Sequence, residues 1–356
     1  MLATYPVEAT AENWLSDCLA SRLLSRLEQL EAGGEIVEFP SDVDEELREV
    51  IESYPGVTKR FKSLSDAFAG LTPEQRVIVR NAIESQNQIP EVFDTAFPCT
   101  DCGEELPDIQ KLAKELFEFS FGALSRIKSP NSDVPIRDRH YEIAYGHLQK
   151  KCCPFCGMER LEPYHPDVPR HDLDHYLAIS RYPFSGTNLK NLTPMGDRCN
   201  SSYKLALDIL YDPNGNRLPC YDPYGDVTAS FSLEGSELFG GHGGGPVWEV
   251  CLTPETPETA NWGRVFRLKL RLEESLKAEF RGWLVEIGGF LRGLACNLGI
   301  IEEVKAGLSR YKDACSLESL PSVALLKEGV ASVLLQGLEA EDQKQRTHAF
   351  LIDAFA

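Results

Sequence analysis

Residues 152–204 read CCPFCGMERLEPYHPDVPRHDLDHYLAISRYPFSGTNLKNLTPMGDRCNSSYK. Four signals succeed one another in this stretch. They are Cys153-Pro-Phe-Cys156, Asp172-Leu-Asp174-His175, Asn191-Leu192, and Cys199-Asn200 with Lys204 close behind. The cysteine pair has metal-ligand spacing, and the two asparagines are nine positions apart. Residues 171–177 predict a strand, and residues 200–210 predict a helix with Asn200 and Lys204 on one face at i,i+4. Strand alternation puts Asp174 and His175 on opposite sides. They can serve one site only if the strand ends or twists there.

Outward from this stretch the chain reads mainly as helix. Residues 11–31 have helical periodicity from a Thr10 cap to Gly33-Gly34. Thr72-Pro-Glu-Gln75 is a capping box with proline at the first helical position. Residues 108–128 and 137–150 predict two further helices. Beyond the stretch, Asp212-Pro-Asn-Gly215 signals a turn, and residues 227–233 and 247–252 predict strands. The glycine-rich loop 240–245 lacks the strand-loop-helix context and Lys-Ser/Thr ending of a phosphate loop. Residues 259–292 predict a long helix interrupted at Gly288-Gly289, and residues 295–356 predict more helices. His140, His147 and His348 read as structural, and Phe117, Phe119, Phe121, Trp262 and Trp283 as core.

The chain has 356 residues, enough for two or three domains. No apolar run reaches the roughly 18 residues of a membrane helix, and the N-terminus lacks a signal-peptide pattern, so a cytoplasmic protein is expected. In a reducing compartment, Cys-x-x-Cys pairs point to metal or redox chemistry. Two such pairs, Cys99/Cys102 and Cys153/Cys156, stand among eleven cysteines. The net charge is −19, unusual for a nucleic-acid binder. Its distribution is uneven. Residues 148–204 carry 8 Lys/Arg against 6 Asp/Glu, or +2, leaving 28 against 49, or −21, elsewhere. Contact with phosphate is therefore expected in the central segment. The acidic flanks serve solubility, restrain non-specific binding, or meet a basic partner.

The residue types in this stretch suit phosphodiester hydrolysis. That reaction needs a base for water, a hard cation to take up charge, and donors to hold the phosphate. Mg²⁺ accepts a small share of protein oxygen ligands and keeps several waters. Asp174 and Asn200 could supply that share. His175 could be the base, since imidazole titrates near neutrality. Asn191 could fix the loop that orients it. Taken singly, each has a plainer reading: a surface pair, a turn residue, a helix cap.

In order and spacing these residues resemble the HNH, or ββα-metal, endonuclease family, over roughly 55 residues. The interval from Asn191 to Asn200 resembles that of the HNH module of RNA-guided nucleases. The resemblance implies an α+β protein with a small ββα-metal core at residues 148–226, between a helical region 1–147 and a mixed, mostly helical region 227–356. It implies His175 as general base, Asn191 as orienting residue, and Asp174 and Asn200 as ligands of Mg²⁺ or Mn²⁺. Lys204, Arg198 and Arg181 become candidates for phosphate contact. The expected substrate is DNA, with RNA open. Stand-alone members with helical flanks resemble anti-phage effectors that work with an ATPase or sensor partner, for which the acidic flanks could form a docking surface.

One position departs from the family pattern. Many members carry a second Cys-x-x-Cys that completes a structural zinc site, but here Gly196 takes the third cysteine's place. Cys153, Cys156 and Cys199 stay in register, whereas a closed zinc site takes four ligands. Cys152, His165, His171 or the Cys99/Cys102 pair could complete it, or packing alone could hold the module. This departure and the acidic charge keep a second reading open: a non-catalytic zinc module that binds nucleic acid or a protein.

Overall fold

The computed structural model describes residues 2–33, 38–41, 43–128, 132–168, 170–241 and 244–355. Gly34, at the expected end of the first helix, and His242 and Gly243 of the glycine-rich loop lie outside the described residues. The fold is α+β, with two small antiparallel sheets among helices. It divides into two compact units. Their limits differ from the three expected segments, because residues 161–227 pack with residues 4–149 in one unit.

Among the described residues that unit holds six α-helices: α1 (Trp14–Ala32), α2 (Glu45–Glu52), α3 (Pro55–Ala67), α4 (Pro73–Asn87), α5 (Pro107–Ala123) and α6 (Ile136–His147). It also holds the hairpin of β1 (Leu173–His175) and β2 (Leu192–Pro194). In α1, Leu15, Leu19, Leu23 and Leu27 recur every fourth residue, and all are buried. This stripe enters one hydrophobic core with Phe61 and Leu64 of α3, Val79 and Ile83 of α4, and Leu116 and Phe117 of α5. Leu173, Phe184 and Leu192 of the hairpin region belong to the same core. The short strands are therefore seated by helices rather than by a wider sheet, as a two-stranded ribbon requires.

The other unit comprises residues 1–3, 150–160 and 228–356. Strands β3 (Ser230–Ser232) and β4 (Cys251–Thr253) pair with Phe231 opposite Leu252. They are followed by α7 (Pro257–Phe266), α8 (Leu268–Gly293), α9 (Ile301–Ala314), α10 (Pro321–Glu339) and α11 (Lys344–Phe355). The break in the long helical stretch falls at Arg267, whose φ of 49° is left-handed, and not at Gly288-Gly289. α8 runs straight through that pair. Gly288 serves a close approach instead, because a Cβ there would lie 2.8 Å from Phe355 of α11.

The capping box of α4 forms as its sequence requires. Thr72 Oγ1 accepts from Gln75 N at 3.3 Å, and Gln75 Oε1 accepts from Thr72 N at 3.0 Å. Thr72→Ala is expected to cost about 1 kcal/mol of stability, read as a lower urea midpoint with an unchanged slope.

Candidate active site

β1 and β2 pair with Asp174 opposite Thr193 and His175 opposite Leu192. β1 stops at His175, so strand alternation does not extend past that residue. The chain then makes a long loop and returns, with Tyr176 N donating to Asn191 O at 2.8 Å. The Asn191 side chain holds this loop shut. It is fully buried. Its Oδ1 accepts from Leu177 N at 2.6 Å, and its Nδ2 donates to Leu177 O at 3.1 Å and Ser185 O at 3.2 Å. A buried amide with both ends satisfied adds rigidity, whereas its loss would strand several backbone groups.

The loop is anchored from outside as well. Gln86 Oε1, at the end of α4, accepts from Phe184 N at 2.9 Å, and Asn87 Nδ2 donates to Phe184 O at 3.1 Å. Asn13 Oδ1 accepts from Leu189 N at 2.7 Å. His140 of α6 lies 2.8 Å from both Ala9 O and Leu192 O, and its neutral ring can donate to one of them. Gly186 sits at a close approach: a Cβ there would lie 2.5 Å from Ile179 Cδ1 and 3.0 Å from Phe117 Cβ. Gln86, Asn13 and Gly186 had no signal in the sequence, since their roles depend on residues far along the chain.

The loop's product is a fixed His175. Its Nε2 lies 2.9 Å from Gly186 O. A carbonyl only accepts, so Nε2 carries the proton and Nδ1 keeps a lone pair. Phe121 packs edge-on against the ring at 4.5 Å between centroids. Burial pushes the imidazole pKa down to about 4, against the pull of the Gly186 carbonyl, and the Lys204 and Arg137 charges lower it further. His175 is therefore neutral at physiological pH and a weaker base than the near-neutral imidazole the sequence suggested.

Asp174 and Lys204 form a buried ion pair. Lys204 Nζ lies 2.8 Å from Asp174 Oδ2 and donates to His175 O at 2.7 Å. Lys204 is fully buried and Asp174 nearly so. Burial raises the Asp174 pKa, and the ammonium opposes that rise. This corrects the expectation that Lys204 contacts phosphate: it faces inward and is committed to Asp174. The expected helix over 200–210 is also shorter. Cys199–Lys204 is one π-helical turn, ended by Leu205 at φ 48°. The wide turn changes the i,i+4 geometry and carries the Lys204 side chain into the core. Asn200 lies in this turn and is partly exposed, and Arg198 just before it is exposed. Arg181, another candidate for phosphate, is held by Asp101 at 2.8 Å and Asp208 at 3.1 Å.

Cys153, Cys156 and Cys199 are all buried, and the Cys153-x-x-Cys156 pair keeps the spacing of a metal-binding pair. The first two sit on a tight turn in which Gly157 N donates to Cys153 O at 2.7 Å and Met158 N to Cys156 Sγ at 3.4 Å. Cys152 Sγ donates to Lys150 O at 3.6 Å, and its thiol is pushed up to about 11 by burial. His165 and His171 accept from Asp167 N and Glu162 N. Cys99 and Cys102 are buried thiols pushed up to about 12 by desolvation, so they stay protonated. No protein-family model, curated protein or solved structure matches the chain.

Two outcomes are expected from this geometry. Lys204→Met leaves a buried carboxylate without its counter-charge and is expected to cost about 3–5 kcal/mol. The double variant Asp174→Asn/Lys204→Met should recover most of that loss in thermal melts. Folding disfavours the charged form of His175, so the unfolded chain binds the proton first as pH falls. Stability should therefore decline from about pH 6.5 to about 4 on this group's account. In an NMR titration the His175 ring signals should stay those of a neutral imidazole down to about pH 4.

Proposed function

We propose that the protein is a metal-dependent HNH endonuclease that hydrolyses phosphodiester bonds in DNA. The observation that carries this reading is the Nε2 contact of His175 with Gly186 O at 2.9 Å, one residue from the buried carboxylate of Asp174. It leaves Nδ1 free to take a proton from water. The Asn191 amide maintains this arrangement through Leu177 and Ser185, which makes it a positioning residue. Asp174 and Asn200 offer the carboxylate and amide oxygens that suit Mg²⁺ or Mn²⁺. The convergence of a cation, the Lys204 ammonium, on Asp174 and on His175 O supports an oxygen-lined cation seat here. A bound divalent ion would supply charge stabilisation at the phosphate and leaving oxygen. Arg198 is the exposed cation nearest in sequence to Asn200 and is assigned to phosphate. Zn²⁺ is assigned to the Cys153 and Cys156 pair as a structural ion.

The same Lys204 favours a second reading. An ammonium that already neutralises Asp174 suits a non-catalytic module that binds nucleic acid or a protein without cutting. The acidic flanks, at −21 outside residues 148–204, would meet a basic partner such as an ATPase or sensor subunit in either reading. No described helix is long and apolar enough to cross a membrane.

The two readings separate in a plasmid-nicking assay with Mg²⁺ or Mn²⁺. The nuclease should cut, and folded His175→Ala should slow cutting by about 10²–10⁴-fold. Equal cutting by the variant removes the assignment. Binding of DNA without cleavage under either metal favours the non-catalytic module.

A further inference from the structure

The cleft between α1 and α3 holds a buried cation that the fold does not satisfy. Arg26 is 8% exposed. Its Nη2 lies 3.8 Å from Asp66 Oδ1, too far for a hydrogen bond. Its Nε and Nη1 are buried and have no hydrogen-bond partner among the described residues. A guanidinium cannot shed its proton to escape this cost. Each buried donor left unmade is unfavourable, and more so on a charged group. Among the described residues nothing completes its hydrogen bonds.

The surroundings point to what completes it. Arg26 borders a cavity of about 30 Å³ that is also lined by Arg22, Gln29, Glu38, Lys62 and Asp66. Among its described lining residues three cations stand against two carboxylates, in a chain of net charge −19. The carboxylates are weakly engaged. Lys62 meets Glu38 at 3.5 Å and Asp66 at 3.3 Å, but all three side chains are more than half exposed, where such pairs contribute little. Gln29 Oε1 is also buried without a partner. Rotating that amide by half a turn points its N–H groups where Oε1 now lies. Waters could occupy the donors but would add no negative charge to that of Asp66 at 3.8 Å. An oxyanion does both, through charge-assisted hydrogen bonds.

We propose that this cleft binds a single phosphate group, as inorganic phosphate or as the terminal phosphate of a nucleotide. At about 30 Å³ the cavity has room for two or three water-sized groups, which is the share of a head group's oxygens that would turn inward. A nucleoside would remain outside. Arg26 is the anchor, Lys62 and Arg22 add charge, and Glu38 and Asp66 turn toward solvent when the anion enters. The site is independent of His175, so it stands or falls separately from the nuclease reading.

Isothermal titration of the full chain with inorganic phosphate, AMP and ATP, without divalent metal, tests this. Binding of all three with similar affinity identifies the phosphate alone as the group read, and binding of nucleotides only identifies the nucleotide as its source. In either case Arg26→Met should weaken binding at least tenfold, while the free variant melts at or above the wild-type temperature. Gln29→Glu places a carboxylate beside Arg26 without removing it and should abolish binding in a folded protein, which covers the case in which Arg26→Met does not fold. The proposal is overturned if the folded wild type binds none of the three ligands. It is also overturned if Gln29→Glu binds as wild type does, or if a folded Arg26→Met does. A lower melting temperature for Arg26→Met together with unchanged binding would make Arg26 a structural partner of Asp66.

Discussion

The fully buried amide of Asn191 is the constraint on which the candidate site depends. β1 and β2 have three residues each, too few to fix a hairpin through their own ladder. The loop between them runs from Tyr176 to Asn191, long enough to sample many arrangements if left to itself. One side chain closes it by bonding Leu177 at the loop's beginning and Ser185 in its middle. Because Gly186 is next after Ser185, the same bonds set the carbonyl that receives His175 Nε2. The tautomer of a single imidazole is thus fixed by backbone groups that asparagine, with a donor and an acceptor on one short stem, is suited to hold.

A second constraint is electrostatic. Burying Asp174 is unfavourable unless a cation shares the site, and Lys204 is that cation. The pair also explains why the Cys199–Lys204 turn is wide and why it ends with a left-handed Leu205. An ordinary helix would have continued along the surface and kept the lysine in water. The ammonium adds to the burial that depresses His175, so one inward lysine affects the carboxylate, the imidazole and the course of the backbone together.

Elements specified by local chemistry were legible in the sequence. The leucine stripe of α1, the capping box of α4 and the proline-started α5 arise from side chains a few residues apart. The positions of Asp174, His175, Asn191 and Asn200 were legible as an ordered pattern, and the structure gathers the first three around one hairpin. The direction of Lys204 was not legible, because i,i+4 spacing presumes an α-helix and the turn here is π-helical. Nor was Gly288-Gly289, where absent side chains signal a broken helix in sequence but make room for Phe355 in the fold. The anchoring by Asn13, Gln86 and Asn87 joins residues about 100 or more positions apart, a separation that no local window spans.

Charge shows the same limit in a form that bears on function. The central segment looked suited to phosphate because its count is positive, but count is not surface potential. Lys204 is buried against Asp174, and Arg181 is tied to Asp101 and Asp208. Arg170 is paired with Asp138 at 2.8 Å and lies over the Tyr141 ring. Lys190 donates to Ile89 O, Lys150 to Ser316 O and Glu318 O, and Arg160 to Ser319 Oγ. Six of the eight basic residues thus act as internal staples, an economical use of long side chains that reach several carbonyls at once. A chain this acidic that still engages nucleic acid would depend less on a basic face than on a few directed contacts and a bound cation.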